Sequence, residues 1–349
     1  MKPAALVLNA PRMLAFEPIA FSPLGPSEVR IKTLFSGISA GTELSQYRGT
    51  NPFMNRRWDE ARRLFLPAYK PSWSYPVRNL GYEEVGEIIE VGREVSDVKP
   101  GDRLYGTWNH RTHHVAGADY AKERLLPAGA DPRIGIFSHI GAVALNGVHD
   151  AQIRIGDVVA VFGLGVPGQI AAQAAKASGA TVIGVDPDAT RRDKALALGL
   201  DEAFDPAGGD VGEWIKSRTN GRGADVCIEV SGAPAALAAA IRSVAYSARV
   251  IAMGFFQGEL SGVHLGEEFH HNRIQLICSQ ISGVAPESSY RWTKPRLWRT
   301  AIELQHRGVL SLIPLMSHVE PFEHAPEVYA RLDKGEAGLL QAVFDFGEL

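Results

Sequence analysis

The chain has 349 residues, 45% of them hydrophobic, and a formal net charge of -3, so it is long enough for two domains with a sizeable core. Because acidic residues outnumber lysine and arginine, we expect no nucleic-acid partner. No apolar run reaches the roughly 18 residues of a membrane span, and the apolar run before Arg12 is too short for a secretory signal. We therefore expect no membrane partner.

Residues 1–135 predict a β-rich domain, because short apolar runs at 4–8, 28–34 and 85–91 are separated by glycine and proline. Strands are then predicted at 158–162, 181–185, 225–229, 248–253 and 274–278. Helices alternate with them at 140–148, 167–178, 191–198, 211–219 and 234–244. This alternation predicts an α/β fold with a doubly wound parallel sheet over residues 136–285. The tail, 286–349, holds a predicted helix at 297–306 and a strand at 340–346.

Both cysteines, Cys227 and Cys278, lie inside apolar runs. We expect them to be buried thiols that form neither a disulfide nor a metal cluster. That usage fits a reducing compartment and predicts a cytoplasmic protein.

A glycine-rich turn follows the strand at 158–162, with glycines at 163, 165 and 168. Gly163 allows the tight turn, Gly165 lets the backbone approach a pyrophosphate, and Gly168 lets the next helix pack close to the strand. Val166 and Pro167 open that helix, whose N-terminus is suited to binding an anion. We expect a dinucleotide site here, the alternative being a purely structural turn.

Asp186 ends the next predicted strand, about 20 residues after the turn, where an acid would accept hydrogen bonds from a ribose. A carboxylate there repels a 2′-phosphate, so NAD is favoured over NADP. Arg191 and Arg192 follow closely, and either could instead bind a 2′-phosphate. We include Arg191 among the expected cofactor contacts.

Besides the glycine turn, the chain contains four short motifs: Ser-Gly-Ile-Ser-Ala-Gly-Thr-Glu at 36–43, Gly-Tyr-Glu-Glu-Val-Gly at 81–86, Val-Lys-Pro-Gly-Asp-Arg-Leu at 98–104 and Ile-Gly-Asp at 155–157. Together these motifs resemble the medium-chain dehydrogenase/reductase superfamily, in its zinc-type alcohol dehydrogenase-like branch. The first two are also similar to bacteriochlorophyllide hydroxyethyl dehydrogenases. The resemblance implies a GroES-like catalytic domain over 1–135, a Rossmann NAD-binding domain over 136–285, a segment 286–349 that returns to the catalytic domain, and a substrate cleft between the two domains.

The resemblance also shows where this chain departs from zinc-dependent relatives. Ser39 stands where they place a cysteine, Tyr82 where they place a histidine, and His139 where they place a cysteine or glutamate. A catalytic zinc needs three good N, S or O ligands, and serine and neutral tyrosine are poor ones, so we expect no metal. The histidines at 110, 113 and 114 leave a metal possible, although such a loop is more often a pocket wall or surface.

Without a metal, another group must exchange the proton of the reacting hydroxyl. By resemblance, Tyr82 and His139 face the site, and either is the expected acid/base, His139 having the more suitable ordinary pKa. Thr42 and Ser39 are the expected hydrogen-bond partners, and Glu83 matches a supporting carboxylate of the family. Glu43 matches an acidic neighbour of the lost metal histidine. The alternative is that these residues only fill the vacated metal site.

Two loops are expected to contact the cofactor by resemblance, at Ser231 and Gly254. A longer segment, 50–79, mixes arginines with aromatic residues. It could form a substrate lid, an oligomer contact or a solvated helix with an apolar stripe. Its cations and aromatics are Phe53, Arg56, Arg57, Trp58, Arg62, Arg63, Phe65, Tyr69, Trp73 and Tyr75.

The sequence therefore predicts a zinc-independent oxidoreductase that moves a hydride between NAD(H) and a secondary alcohol or ketone of a small molecule. The substrate is expected to be a sugar, a polyol or a larger hydroxylated compound. Two alternatives remain open: a reductase of activated C=C bonds, and a dinucleotide-binding protein without catalysis. The family resemblance also implies a homodimer or homotetramer, with 248–256 and 274–282 as the candidate edge.

Overall fold

A computed structural model describes residues 2–67 and 70–347. The strands are β1 (Ala4–Ala10), β2 (Met13–Pro18), β3 (Glu28–Gly37), β4 (Arg57–Asp59), β5 (Leu64–Leu66), β6 (Glu83–Val91), β7 (Arg103–Gly106), β8 (His113–Gly117), β9 (Val158–Phe162), β10 (Thr181–Val185), β11 (Glu202–Phe204), β12 (Ala224–Glu229), β13 (Val244–Ala252), β14 (Gln275–Cys278), β15 (Met316–Pro321) and β16 (Gln341–Asp345). The helices are α1 (Ala40–Arg48), α2 (Pro52–Asn55), α3 (Ala118–Lys122), α4 (Phe137–Ala151), α5 (Val166–Ala177), α6 (Ala189–Ala197), α7 (Val211–Arg218), α8 (Pro234–Ser243), α9 (Lys294–His306) and α10 (Ala325–Asp333).

The chain forms two compact units, one of residues up to 139 together with those from 316 onward, the other of residues 140–315. The boundary predicted from the sequence, 285/286, lies thirty residues before the observed one at 315/316. The structure differs because α9 and the loop after it belong to the second unit. A side chain at Gly141 of α4 would lie 2.8 Å from Ala301 of α9, and the Ser311 amide donates to the Gln173 side chain at 2.8 Å.

The first unit is built on a mixed sheet in the order β15-β16-β3-β6-β7, with β8 also paired to β3. The strands β15 and β16 are parallel, and the other pairs are antiparallel. Residues from both ends of the chain share one core, in which Leu8, Phe322, Tyr329 and Phe344 are at most 2% exposed. The C-terminal strand β16 therefore completes the sheet begun by the N-terminal segment.

The second unit contains a six-stranded parallel sheet in the order β11-β10-β9-β12-β13-β14. Its helices alternate with the strands, so the predicted doubly wound α/β fold is confirmed. Residues 159–162 of β9 are fully buried, as expected for a central strand covered on both faces. The chain runs outward from β9 in one direction and from β12 in the other, so the switch point lies between these two strands.

The prediction for the cysteines is right for Cys227 and wrong for Cys278. Cys227 lies on the inner strand β12 and is buried, whereas Cys278 is exposed. The reason is that β14 is the edge strand of the sheet, so an apolar run there does not imply burial.

The segment 50–79 forms the short helix α2 and a hairpin of β4 and β5. Its aromatic residues contact each other: Phe53 stacks on Trp73 at 4.8 Å between ring centroids, and Phe65 lies 5.1 Å from Phe53 and 4.9 Å from Trp58. The alternative of a solvated amphipathic helix is therefore wrong, because α2 is a single turn. Tyr69 lies outside the described residues. Within the described ranges, no helix is long and apolar enough to cross a membrane.

The glycine turn gives a matched pair of stability tests. A side chain at Gly168 would place its Cβ 1.9 Å from the Gly163 carbonyl oxygen, while one at Gly165 would meet nothing within 4 Å. We expect Gly168→Ala to lower the free energy of unfolding by about 2 kcal/mol or more, because the backbone must move apart. Gly165→Ala should change it by less than about 0.5 kcal/mol. Urea unfolding measures both, and equal losses would show that the turn is not packed as described.

Candidate active site

The glycine turn joins β9 to α5 in the second unit. Gly163 has a φ of +92°, a value that favours glycine, and its amide donates to the Val185 carbonyl of β10 at 2.8 Å. Helix α5 begins after Gly165, and no side chain of the described residues caps its N-terminus. Open space lies above Gly165. The geometry fits a pyrophosphate, because the uncapped N–H groups and the helix dipole favour an anion at this point.

Asp186 lies directly after β10 and is only 3% exposed. One carboxylate oxygen accepts the Leu164 amide at 2.7 Å, and the other accepts the Asp188 amide at 2.8 Å. The Arg191 guanidinium lies 3.8 Å from this carboxylate. Arg192 instead donates to the Asp186 carbonyl at 2.6 Å and pairs with Asp205 at 3.0 Å. Each Asp186 oxygen keeps a second acceptor site for a ribose hydroxyl.

A buried carboxylate that the sequence analysis did not single out, Glu229, organises the two neighbouring loops. Glu229 ends β12 with no exposed surface and accepts the amides of Ser231 at 2.8 Å and Gly232 at 3.1 Å, as well as the Ser231 hydroxyl. A side chain on Gly254 would lie 2.4 Å from this carboxylate. Burial raises the pKa of Glu229, and the hydrogen bonds oppose that shift. Ser231 and Gly254 thus meet at the carboxyl ends of β12 and β13.

Three hydroxyl groups predicted from the sequence lie together in the first unit. The Ser39 hydroxyl is hydrogen-bonded to the Tyr82 phenol, which also donates to the Thr42 hydroxyl at 3.3 Å. His139 lies beside them, with its ring centroid 4.9 Å from that of Tyr82. We call Ser39, Thr42 and Tyr82 the hydroxyl cluster. Burial, and then the charge of Glu83, raise the pKa of Tyr82, so its phenol stays protonated.

Glu83 lies next to Tyr82 but contacts a different group. Its carboxylate lies 3.3 Å from the Gln341 amide nitrogen of β16, which also donates to the Ile38 carbonyl at 3.1 Å. Burial, together with the charges of Glu43 and Glu84, raises the pKa of Glu83 well above its usual range. Glu83 therefore links β6 to β16 behind the hydroxyl cluster.

Glu43, His110 and Tyr329 form a second buried group, of which the sequence analysis had identified only Glu43 as a neighbour of the site. One Glu43 oxygen accepts the Ser39 amide at 2.8 Å. The other lies 2.8 Å from His110 Nε2 and accepts the Tyr329 hydroxyl. All three side chains are at most 1% exposed. We call Glu43, His110 and Tyr329 the buried triad.

The hydrogen-bond network of the buried triad extends to two more residues through the other nitrogen of His110. Its Nδ1 lies 2.6 Å from the Ser36 hydroxyl, which donates to Glu84 at 3.0 Å. Burial alone would lower the pKa of His110, but the charge and hydrogen bond of Glu43 raise it. Burial raises the pKa of Glu84 to about 7, against the opposing charge of His110. With Ser36 donating to Glu84, the raised pKa of His110 favours the imidazolium, which donates from Nδ1 to Ser36 and from Nε2 to Glu43.

The other two histidines of the same stretch do not join His110. His113 contacts the Thr112 hydroxyl at 3.0 Å, and His114 stacks on Trp108 with 5.7 Å between ring centroids. Burial and the Arg111 charge lower the pKa of His114 to about 4. No group of three histidine, cysteine or acidic side chains in the described part of the chain is arranged to hold a metal.

Comparisons with known proteins agree with the two-unit architecture. The profile of the zinc-binding dehydrogenase family matches residues 167–298. D-guloside 3-dehydrogenase of Escherichia coli K12 is 36% identical over 330 residues, which cover 93% of this chain and 94% of that protein. Sorbitol dehydrogenase of Halalkalibacterium halodurans is 28% identical, with 90% of both chains covered.

A solved structure shows the same fold. 2R,3R-butanediol dehydrogenase of Bacillus subtilis superimposes with a TM-score of 0.78 at 23% sequence identity, over 99% of each chain. The long match to D-guloside 3-dehydrogenase establishes the family. The protein belongs to the medium-chain dehydrogenase/reductase superfamily, in its alcohol dehydrogenase-like branch, and is an oxidoreductase of that family.

Proposed function

We propose that the protein is a zinc-independent oxidoreductase that transfers a hydride between NAD(H) and a secondary alcohol or ketone of a sugar, polyol or glycoside. The observation that carries this proposal is the hydroxyl cluster beside His139. By the family resemblance, Ser39, Tyr82 and His139 match the ligand positions of zinc-dependent relatives. The similarity to D-guloside 3-dehydrogenase and sorbitol dehydrogenase supports a polyhydroxylated substrate.

The residues at this position do not fit a zinc ion. Ser39 and Tyr82 offer hydroxyl oxygens that are hydrogen-bonded to each other, and the raised pKa of Tyr82 opposes the phenolate that a metal would require. His139 is then the one good donor among the three expected ligand positions. Glu43, which matches a metal-site neighbour in the family, accepts hydrogen bonds from Ser39, His110 and Tyr329.

The side chains can perform the proton chemistry of alcohol oxidation without a metal. When substrate binds, the single O–H of the protonated Tyr82 phenol would turn from the Thr42 hydroxyl to the substrate oxygen and stabilise the negative charge that develops there. His139 accepts the hydroxyl proton during oxidation and returns it during reduction. Thr42 holds the Tyr82 phenol in the free protein, and Ser39 remains hydrogen-bonded to it when the phenol turns to the substrate. Bound NAD would supply the hydride acceptor.

The cofactor residues favour NAD over NADP. A nearly buried Asp186 carboxylate would repel a 2′-phosphate, and Arg192 is already paired with Asp205. Arg191, 40% exposed and 3.8 Å from Asp186, partly offsets that charge. The contact set we propose for the dinucleotide is Gly163, Gly165, Val166, Pro167, Gly168, Asp186, Arg191, Ser231 and Gly254.

Two further expectations go with this function. The exposed edge strand β14 supports a homodimer or homotetramer that forms by strand pairing, and sedimentation that finds only monomers would contradict it.

We also expect the enzyme to work in the cytoplasm. Cell fractionation that finds it elsewhere would contradict that expectation.

The substrate class can be tested by reduced-nicotinamide absorbance with NAD or NADP and a panel of glycosides, sugars, polyols and simple secondary alcohols. We expect turnover with NAD on polyhydroxylated substrates, because the site carries hydroxyl and imidazole groups suited to an alcohol. Turnover only with quinones or enones would favour the C=C reductase instead. Coenzyme binding without turnover on any substrate would favour a non-catalytic protein.

The two proposed proton-handling groups can be separated by mutation. Tyr82→Phe should lower kcat by about 100-fold at every pH, because it removes one hydrogen-bond donor to the developing charge. His139→Asn should also lower kcat, and in addition it should remove the rise of oxidation rate with pH that a titrating base produces. Tyr75→Phe is the matched control, since among the described residues that phenol donates to the Gln46 carbonyl at 2.8 Å and bonds none of the hydroxyl cluster. Full activity in both site variants would mean that these residues only fill the metal site.

Coenzyme choice depends on the charge of Asp186. Asp186→Asn keeps an acceptor oxygen for the Leu164 amide but removes the repulsion of a 2′-phosphate. We expect the ratio of kcat/KM for NADP to that for NAD to rise by about tenfold, which corresponds to about 1.4 kcal/mol. Arg192→Ala should leave the ratio nearly unchanged. A wild-type enzyme that prefers NADP would contradict the assignment.

A further inference from the structure

We propose that His110 is a positioning residue of the active site: through Glu43 and through the backbone at Gly81, it fixes all three groups of the hydroxyl cluster. This inference rests on the proposed function of that cluster. His110 itself touches neither Ser39, Thr42 nor Tyr82 by any of the hydrogen bonds described above, and it is not a catalytic residue.

Through its Nε2 atom and Glu43, His110 fixes the start of helix α1. The Glu43 carboxylate holds the Ser39 amide at 2.8 Å, and the amides of Thr42 and Glu43 both bond the Ser39 carbonyl, at 3.2 and 2.9 Å. The start of α1 therefore depends on the rotamer of Glu43. That rotamer is set by the two donors at its other oxygen, His110 and Tyr329.

On the other side, His110 acts on the segment that carries Tyr82. The His110 amide donates to the Leu80 carbonyl at 2.8 Å, and Asn109 donates to the Gly81 carbonyl at 2.9 Å. Gly81 has a φ of +90°, and a Cβ there would lie 2.7 Å from the His110 ring. The imidazole thus packs directly under the residue that precedes Tyr82.

The burial of the buried triad decides how Glu43 responds when a hydrogen-bond partner is lost. His110 and Tyr329 have no exposed surface and Glu43 has 1%, so water cannot replace a lost partner. A buried carboxylate without its hydrogen-bond partner is costly, so the side chain will rotate to avoid that state. Loss of the His110 donor should therefore move Glu43, then the start of α1, and with it Ser39 and Thr42.

Two conservative variants test the roles of the two imidazole nitrogens separately. His110→Gln keeps a donor near the Nε2 position that faces Glu43, whereas His110→Asn keeps only one near Nδ1, which faces Ser36. We expect His110→Asn to lower kcat by about 100-fold, as misplaced catalytic groups do, with the KM for NAD unchanged. His110→Gln should retain most of the wild-type kcat.

Thr33→Val is the control for general destabilisation. Thr33 is fully buried in the same unit and accepts the Trp108 indole N–H at 2.9 Å, and none of the hydrogen bonds described for it goes to the buried triad. We expect it to lower the melting temperature while kcat stays at the wild-type value. If kcat falls in all three variants in proportion to the melting temperature, the proposal is overturned.

A readout without turnover separates this proposal from the proposed function. With 3-fluorotyrosine placed at position 82, the ¹⁹F resonance reports the surroundings of that ring even if no substrate is known. We expect a single resonance in the wild type, the same shift in Thr33→Val, a small displacement in His110→Gln, and a larger displacement or a split resonance in His110→Asn. An unchanged resonance in His110→Asn would overturn the positioning role, whether or not the enzyme turns over an alcohol.

Discussion

The hydrogen bonds of the Glu43 carboxylate are the constraint on which the first unit's site depends. The side chain is 1% exposed and accepts from the Ser39 amide, His110 and Tyr329. Such a group is stabilising only while every donor is present, because a buried unpaired charge is costly. The same carboxylate joins α1, the segment before β8 and α10, which come from distant parts of the sequence. The position of the hydroxyl cluster is thus fixed by tertiary packing.

The second unit also contains a buried carboxylate that accepts hydrogen bonds from loop amides. Glu229, also buried, gathers the amides of Ser231 and Gly232 beside Gly163. The backbone at Gly163 and Gly168 is packed so closely that neither position has room for a side chain. In both units, a buried acceptor and a crowded glycine hold short loops at the ends of strands, where binding groups are needed.

Local patterns in the sequence predicted the alternating strands and helices of the second unit, but neither its edge strand β11 nor its boundary. Strands β9 and β10 have the predicted bounds, because apolar β-branched runs and a glycine turn determine them locally. The exposure of Cys278 could not be predicted, because an apolar run can belong to an edge strand as well as to a central strand. The boundary at 315 depends on α9 packing against Gly141, a contact between residues far apart in sequence.

The first unit's site was only partly predictable. Ser39, Thr42 and Tyr82 were found by their place in family motifs, and the structure brings them together. His110 was missed as a partner of Glu43, because the pairing of β3 with β6 and β8 decides which of three neighbouring histidines points into the core. The cluster of histidines was a signal, but nothing local distinguished the buried one from the other two.

The central claim is that a network of hydroxyl, imidazole and carboxylate groups stands in place of a metal. The most direct test is the metal content of an active preparation, measured by mass spectrometry on the same sample whose alcohol oxidation is assayed before and after dialysis against a chelator. We expect far less than one zinc per chain and a rate that dialysis leaves unchanged. One zinc per chain, with activity lost on dialysis and restored by zinc, would contradict it.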